Sequence, residues 1–374
     1  MADTFYFSRD TKVHLTDSAS AVYNIPVLDG FSFSQATNTT EVTLNEMATA
    51  AGVSRRARQM FTDSYAPAEW SFSTYIRPFT SGGGGGTEHA AAHSHVVEEA
   101  LWNALAGSAA VGASGAGFTT ADANGADLSF ANSNKTTLDT FDLHFEMGSG
   151  KTTPTIYKIA DCVVNEVSID FDIDGIATAN WSGFGQIITE DSMPTATITE
   201  GTAAVDTNNF IRNRLTDLTV TATAAGDIQT AYSLTLTGGN VTIGNNISFL
   251  TPETLGIVNQ PLGHVTGTRN VAGNFTCYLN TPASGNSSTD LFEDIIGSTS
   301  VVTNDFNLVF VVGGTVAHTA GGPSFKITLP TCHLEVPTHS IDDIVSLETT
   351  FHALPTSVDG TDEITMEFKG PTVN

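Results

Sequence analysis

The stretch MGSGKTT, residues 147–153, ends like a phosphate-binding loop, in which Gly-Lys-Thr closes a glycine-rich turn. Such a loop also needs an earlier glycine that lets the backbone N–H groups wrap around the phosphates, and this sequence has Phe145 there. The loop must lie between a strand and a helix, but the sequence on both sides is typical of strands. We therefore predict a hairpin connection with Lys151 solvated at its tip.

Three histidines form a second candidate for chemistry. His89, His93 and His95, with Glu88 beside them, have a spacing that suits a transition metal. The alternative is a polar, solvated loop that leads into a helix. A run of five glycines precedes these residues and gives a rigid site poor support. The loop interpretation is favoured, and we expect no metal and no other cofactor.

Acidic and apolar residues alternate in SIDFDIDG, residues 168–175. Asp170, Asp172 and Asp174 resemble the start of a calcium-binding loop, but that loop needs Glu at its twelfth position, where this chain has Trp181. A strand is the better interpretation, because alternation places the three aspartates on one face. The opposite, apolar face would consist of Ile169, Phe171 and Ile173.

Basic residues are concentrated in SRRARQM, residues 54–60, which contains Arg55, Arg56 and Arg58. In so acidic a chain they could neutralise carboxylates of a neighbouring subunit. They could equally lie in an exposed loop, since isolated surface ion pairs contribute little. The sequence leaves both interpretations open.

The amino-acid composition restricts the classes of protein to which this chain can belong. The 374 residues include 40 acidic and 14 basic ones, which gives a net charge of −26. This excess of acid disfavours wrapping nucleic acid or binding an anionic membrane. Hydrophobic residues make up 40% of the chain, enough for a core, so disorder is not expected. Three cysteines without metal spacing and a start without an apolar signal segment indicate a protein made in the cytoplasm.

Most of the chain has the short alternating patterns of β-strands, bounded by Gly, Asn, Pro and Asp. The clearest exception is HVVEEALWNALAG, residues 95–107, which predicts a helix ending at Gly107. No motif of a catalytic nucleophile appears, and the carboxylates are too numerous to single out an acid and a base. We therefore expect that the protein is not an enzyme.

The chain also repeats itself. The segment WSFSTYIRPF (70–79) matches NFTCYLNTP (274–282), which aligns Phe72 with Phe275 and Tyr75 with Tyr278. Further matches follow in the same order: EALWNALAGS with TDLFEDIIGS, FDLHFEMGSG with FNLVFVVGGT, YKIADCVVNEV with FKITLPTCHLEV, and IDGIATANWSGF with IDDIVSLETTFH. We predict an internal duplication, with one module in residues 1–199 and a second in 200–374. The second copy lacks the Lys-Thr of MGSGKTT, so the lysine is incidental to the fold.

The aromatic strand WSFSTYIRPF, the helix EEALWNALAG and the strands FDLHFEM and CVVNEVSIDFDIDG occur in an order that resembles the tail tube proteins of long-tailed bacteriophages. The resemblance covers nearly the whole chain, once per half. It implies a mainly β fold of two tandem modules, each a β-sandwich or rolled sheet with a short flanking helix.

The resemblance also implies a function in the phage virion. Inner strands of neighbouring subunits would form rings that stack into a hollow tube for DNA ejection. With two modules per chain, three chains would make a pseudo-sixfold ring. The implied partners are other copies of the chain, the tape measure protein and genomic DNA inside the tube, and the tail terminator and baseplate or tip proteins at its ends. A sheath protein would be added only in a contractile tail, and no membrane is involved.

An acidic lumen suits a DNA conduit, because a basic lining would bind the duplex and slow its passage. The candidates for lumen-facing acids are Asp170, Asp172, Asp174, Asp342 and Asp343. Their face could instead meet a neighbouring ring and pair with Arg55, Arg56 and Arg58.

Three rival classes remain. A head-decoration or fibre protein would be expected to contain collagen-like, β-helix or coiled-coil repeats, which do not appear. A secretion-system tube protein would share the fold, usually as a single short module. A metal-dependent enzyme that uses the three histidines is the least favoured.

Overall fold

The computed structural model describes residues 5–43, 51, 58–81, 94–107, 117–122, 125–130, 137–194, 206–222, 231–250, 261–281, 286–297 and 306–373. Strands form most of these residues, and the predicted mainly β class is confirmed. No helix among them is long and apolar enough to span a membrane.

The described residues of the first half form twelve strands and one α-helix. They are β1 (Thr11–Thr16), β2 (Val22–Ile25), β3 (Ser32–Glu41), β4 (Met60–Tyr75), β5 (Pro78–Ser81), β6 (Ser94–Val96), α1 (Glu99–Ala106), β7 (Gly117–Asp122), β8 (Gly125–Ser129), β9 (Phe141–Met147), β10 (Thr155–Phe171), β11 (Thr178–Gly185) and β12 (Ile188–Asp191).

The second half, where it is described, forms a further twelve strands and two α-helices. They are β13 (Asp217–Ala222), β14 (Tyr232–Ser233), β15 (Leu236–Gly244), β16 (Ile247–Leu250), β17 (Gly263–Thr266), β18 (Asn270–Tyr278), α2 (Ser288–Gly297), β19 (Phe306–Val312), α3 (Thr315–Ala320), β20 (Ser324–Leu334), β21 (Thr338–Ile341), β22 (Val345–Ala353), β23 (Thr365–Lys369) and β24 (Thr372–Val373).

Strand β10 belongs to two sheets. Its first part pairs with β9 and β12, and its second part pairs with β11 and β15. Between the two parts the register shifts from Ile159 to Cys162, and Asp161 has a φ of 50°. A bulge of this kind bends a strand and lets it change sheets. The first half therefore has a short sheet, β2-β1-β9-β10-β12, and contributes β3-β4-β11-β10 to a longer one.

The second half repeats this pairing scheme. Its short sheet has the order β14-β13-β19-β20-β23, and its part of the longer sheet has the order β15-β18-β22, with β20 and β21 on the far side of β22. The register also repeats. Trp181 pairs with Phe72 in the first half, and Thr349 pairs with Phe275 in the second.

At one cross-strand pair, the aromatic residue and the glycine occupy opposite strands in the two halves. In the first half Trp70 lies over Gly183, where an added Cβ would be 2.1 Å from the carbonyl oxygen of Val163. In the second half Phe351 lies over Gly273, where a Cβ would be 2.0 Å from the carbonyl oxygen of Asn240. Each pair places one aromatic ring over one glycine, so the same space is filled from opposite strands.

The two long predicted helices are close to their expected places. Helix α1 begins at Glu99, since His95 and Val96 belong to β6, and it ends at Gly107, whose φ of 91° is typical of a C-cap glycine. Helix α2 follows Ser287, whose N–H donates to the Asp290 carboxylate at 2.7 Å.

The hairpin predicted at 147–153 is confirmed, because Met147 pairs with Thr155 across it. Lys151, predicted to be solvated at the tip, is only partly exposed. Its Nζ donates to the carbonyl oxygen of Phe5 at 2.6 Å and lies 4.2 Å from the centre of the Tyr6 ring. The corresponding connection in the second half contains α3, which the sequence patterns did not predict.

The two halves share one hydrophobic core. Helix α1 is fully buried, and its Trp102 contacts Trp181 of the first half and Phe368 of the second, with ring centroids 4.7 and 5.6 Å apart. Strand β8 pairs with β23, and β5 pairs with β24. The halves are therefore bound together by packing and by strand pairing.

Candidate functional site: a polar sheet face

One continuous sheet runs through both halves of the fold. Its strand order is β3-β4-β11-β10-β15-β18-β22-β21, and it is called the long sheet below. The joint between the halves is the antiparallel pair β10–β15, which extends from Glu166 opposite Gly244 to Phe171 opposite Gly239. Because this joint is regular, side chains of both halves alternate in step across it.

One face of the long sheet is buried against the core. Ile169, Phe171 and Trp181 of the first half are at most 4% exposed. Val241 and Phe275 of the second half are fully buried on the same side. This apolar face fixes the register, because a slip by one residue would bring the polar side chains into the core.

The opposite face, called the polar face below, carries small polar side chains. Asn180 of β11 donates from Nδ2 to the carboxylate of Asp170 at 2.9 Å and accepts from the Ser73 hydroxyl at 2.7 Å. These side chains belong to a polar row that crosses six strands. Ser73 and Asn180 are paired, the Asn180–Asp170 hydrogen bond links this pair to β10, and the paired positions Asp170, Asn240, Asn274 and Thr350 continue the row.

The charges on the polar face are almost all of one sign. Glu69, Glu166, Asp170 and Glu348 are exposed there. The strands β3, β4, β11, β15, β18, β21 and β22 and the second part of β10 contain neither Lys nor Arg within their bounds. His352 also lies on this face, with Nε2 3.8 Å from a carboxylate oxygen of Glu335. Such a surface repels polyanions.

The structure separates the predicted acidic residues into two groups. Asp170 lies within β10, on the polar face. The strand ends at Phe171, so Asp172 and Asp174 lie in the following turn, and Asp342 and Asp343 lie in the equivalent turn after β21. The prediction that Ile173 belongs to the apolar face was wrong, because the alternation stops before it and Ile173 is 44% exposed.

The arginine candidates are only partly covered by the structure. Arg58 bonds to Glu41 within the β3–β4 hairpin, with Nε 2.8 Å from Oε1 and a second contact from Nη2. This bond lowers the pKa of the Glu41 carboxyl group. Arg55 and Arg56 lie outside the described residues.

Of the three histidine candidates, the structure describes only His95. His95 is buried in β6, and its Nδ1 lies 2.9 Å from the Glu99 carboxylate. His89 and His93 lie outside the described residues. In the part of the chain that the structure describes, no group of three His, Cys, Asp or Glu residues is arranged to hold a metal ion.

A buried polar cluster that the sequence did not reveal lies where α1 meets the start of the second half. The Arg77 guanidinium donates to the Asn209 side chain at 3.0–3.1 Å and to the carbonyl oxygen of Asp206 at 2.7 Å. Glu98 accepts from the backbone N–H of Arg77 and from Nε1 of Trp102, both at 3.3 Å. Burial raises the pKa of Glu98 to about 8, although these hydrogen bonds and the Arg77 charge lower it.

The fold and the polar face together define a mainly β protein with an extended acidic sheet surface. No protein-family model matches the sequence. The chain is 31% identical over 344 residues to the tail tube protein pb6 of Escherichia phage T5, and the alignment covers 91% of this chain and 69% of that relative.

This chain belongs to the phage tail tube proteins. It is therefore a structural component of the virion tail.

Proposed function

We propose that three copies of the chain form a ring, that rings stack into the tail tube, and that the polar face lines its channel. The observation that carries this proposal is the absence of Lys and Arg from the strand residues that form the long sheet, which extends without a break through both halves. The T5 relative is a tail tube protein, which supports assembly of this chain into a tube.

Each chain contributes two similar modules, residues 1–199 and 200–374, so that three chains present six. The repeated pairing scheme, the repeated register and the exchanged Trp70–Gly183 and Gly273–Phe351 pairs support this duplication. The two modules share a core rather than separate ones, as expected if they act as one building block.

The polar face suits the passage of DNA. Duplex DNA carries one negative charge per about 1.7 Å of its length, and a lining of lysines would hold it by releasing counterions. Asp170, Glu166 and Glu348 repel it instead, over about 8 Å at physiological salt. Asp172, Asp174, Asp342 and Asp343 are proposed to lie at the rim of the channel, because they follow the ends of its strands.

Other tail components complete the proposed assembly. The tape measure protein and the genomic DNA would occupy the channel in turn, and the terminator and baseplate or tip proteins would bind the ends. A sheath would surround the tube only in a contractile tail. The role is structural and involves no catalysis.

The β3–β4 hairpin, with Arg55, Arg56 and Arg58, is proposed to contact a neighbouring subunit. Three large apolar side chains at its described base support this: Val42, Met60 and Phe61 are 46%, 54% and 54% exposed. Burial of such side chains at an interface stabilises association.

Negative-stain electron microscopy and mass measurement of the purified protein test the proposal. We expect rings or tubes with a central hole and a smallest stable ring of three chains. A monomer that persists over a broad range of concentrations, with no rings or tubes, would contradict it.

A further inference from the structure

We propose that neighbouring copies in the ring are joined by β21 of one copy and β3 of the next, in the same register that β10 and β15 use within a chain. The proposal rests on the ring assembly proposed above and adds which residues meet. The register is taken from the β10–β15 joint, where the first half of the chain pairs with the second.

The strands at the two ends of the long sheet are the counterparts of the two strands in that joint. Strand β3 pairs with β4 as β15 pairs with β18: Ser32 is opposite Ser71, and Asn240 is opposite Asn274. Asn274 is the counterpart of Ser71, because β4 and β18 are also aligned by Phe72 and Phe275. Ser32 therefore corresponds to Asn240.

Strand β21 corresponds to the end of β10 by the same reasoning. Ser168 pairs with Asn180 of β11, and Thr338 pairs with Glu348 of β22. Asn180 and Glu348 are counterparts, since they lie one residue before Trp181 and Thr349, which pair with Phe72 and Phe275. Ser340 thus corresponds to Asp170, and Ile341 corresponds to Phe171.

Both end strands have an open edge. Within the described residues, β3 pairs with β4 alone and β21 pairs with β22 alone. Phe171, which lies inside the joint, is 4% exposed, whereas its counterpart Ile341 at the open edge of β21 is 81% exposed. Val336 and Ile344, close to β21, are also more than half exposed. Open strand edges are sites for pairing with another chain.

The joint within the chain then gives the register between chains. Asp170 is opposite Asn240, so Ser340 is expected opposite Ser32 of the next copy. Phe171 is opposite Gly239, so Ile341 is expected opposite Phe31.

Side-chain sizes fit this register. Inside the chain the large Phe171 meets glycine and stacks on Phe310, with ring centroids 5.2 Å apart. In the first half Phe31 and Phe33 stack on Phe145, the counterpart of Phe310, at 5.5 and 4.4 Å. A smaller residue is therefore needed opposite Phe31, and Ile341 is smaller than phenylalanine. Pro337, at the place of Val167, precedes β21 and cannot donate a ladder hydrogen bond, so the expected pairing is limited to Thr338–Ile341.

Cysteine cross-linking tests the register. The three native cysteines are buried, so introduced cysteines can be addressed separately. In assembled protein, Ser32→Cys with Ser340→Cys should cross-link efficiently into dimers and trimers of the chain, because directly opposite side chains have Cβ atoms about 5 Å apart. The matched variant Ser34→Cys with Ser340→Cys moves one cysteine along the same face and should cross-link at least about tenfold more slowly.

A second pair of variants tests the joint without cross-linking. Ile341→Asp places a carboxylate against Phe31 and should raise the concentration needed for ring formation at least about tenfold, with the melting temperature of the monomer unchanged. Val358→Asp, at a fully exposed position outside both edges, is the control and should assemble as the wild type does.

The outcomes separate the inference from the proposed function. If rings or tubes form normally but both cysteine pairs cross-link equally, the register is overturned. The same holds if only the pair with Ser34→Cys cross-links. In both cases the proposed tube is not contradicted. Unimpaired assembly of Ile341→Asp would overturn the joint itself. A wild-type protein that never forms rings would overturn both the proposed function and the inference that rests on it.

Discussion

At the scale of single residues, Glu98 shows how the fold changes the chemistry of a carboxyl group. Burial favours its protonated form and raises its pKa to about 8, well above the ordinary value of 4.5. The folded state thus holds a proton that the unfolded state has released between these two values. The contribution to stability is fully present below about pH 4.5 and is lost as the pH rises through about 8.

We predict that Glu98→Gln removes this pH dependence. The wild type should lose about 1 kcal/mol of unfolding free energy per pH unit between pH 5 and 8 relative to the variant, because one pKa unit corresponds to about 1.4 kcal/mol. Denaturant unfolding of both proteins across this range measures the difference. Parallel curves for the wild type and the variant would show that Glu98 is ionised in the folded protein.

A glycine of the long sheet provides a second prediction at this scale. Gly183→Ala should destabilise the protein by about 1–3 kcal/mol, because the new Cβ would be 2.1 Å from the Val163 carbonyl oxygen and would also meet the Trp70 ring. Gly244→Ala is the control: its nearest atom would be 3.9 Å away, so it should change stability by less than about 1 kcal/mol. Thermal unfolding compares them, and equal effects would contradict the packing described.

Among the elements, the long strands and the two helices were predictable because each has a strong period. HVVEEALWNALAG and TDLFEDIIGS have helical spacing and a terminal glycine, and SIDFDIDG alternates up to Phe171. The short helix α3, TVAHTA, was not predicted, because six residues show no helical period. The change of sheet within β10 was also missed, since it depends on a bulge and on the pairing partners rather than on local pattern.

The acidic polar face gives a prediction at the scale of the elements. Asp170→Lys with Glu348→Lys should leave assembly intact, because both side chains are exposed, and should make DNA adhere inside the tube. Retention of short duplex DNA by assembled tubes, measured against salt, should appear at low salt and fall steeply as salt rises.

The control for this experiment has the same change in charge at another place. Asp359→Lys with Glu293→Lys alters exposed positions outside the long sheet. DNA retention by this control equal to that of the first variant would show that net charge, and not the polar face, governs binding.

For the molecule as a whole, the sequence predicted the β class and the repeated order of segments, because corresponding strands kept their aromatic residues, such as Phe72 and Phe275. It did not predict that the halves share a core. That depends on Trp102 reaching Phe368 and on β8 pairing with β23, which are contacts between distant segments of the chain. The buried Arg77–Glu98 cluster was missed for the same reason.

The most direct test of the central claim is a cryo-electron microscopy reconstruction of the assembled tube. We predict three chains per ring, six similar modules around the axis, and a channel lined by the polar face, with Asp170, Glu166 and Glu348 directed at the axis. A channel lined by the short sheets, or a tube in which the polar face forms the outer surface, would contradict the account.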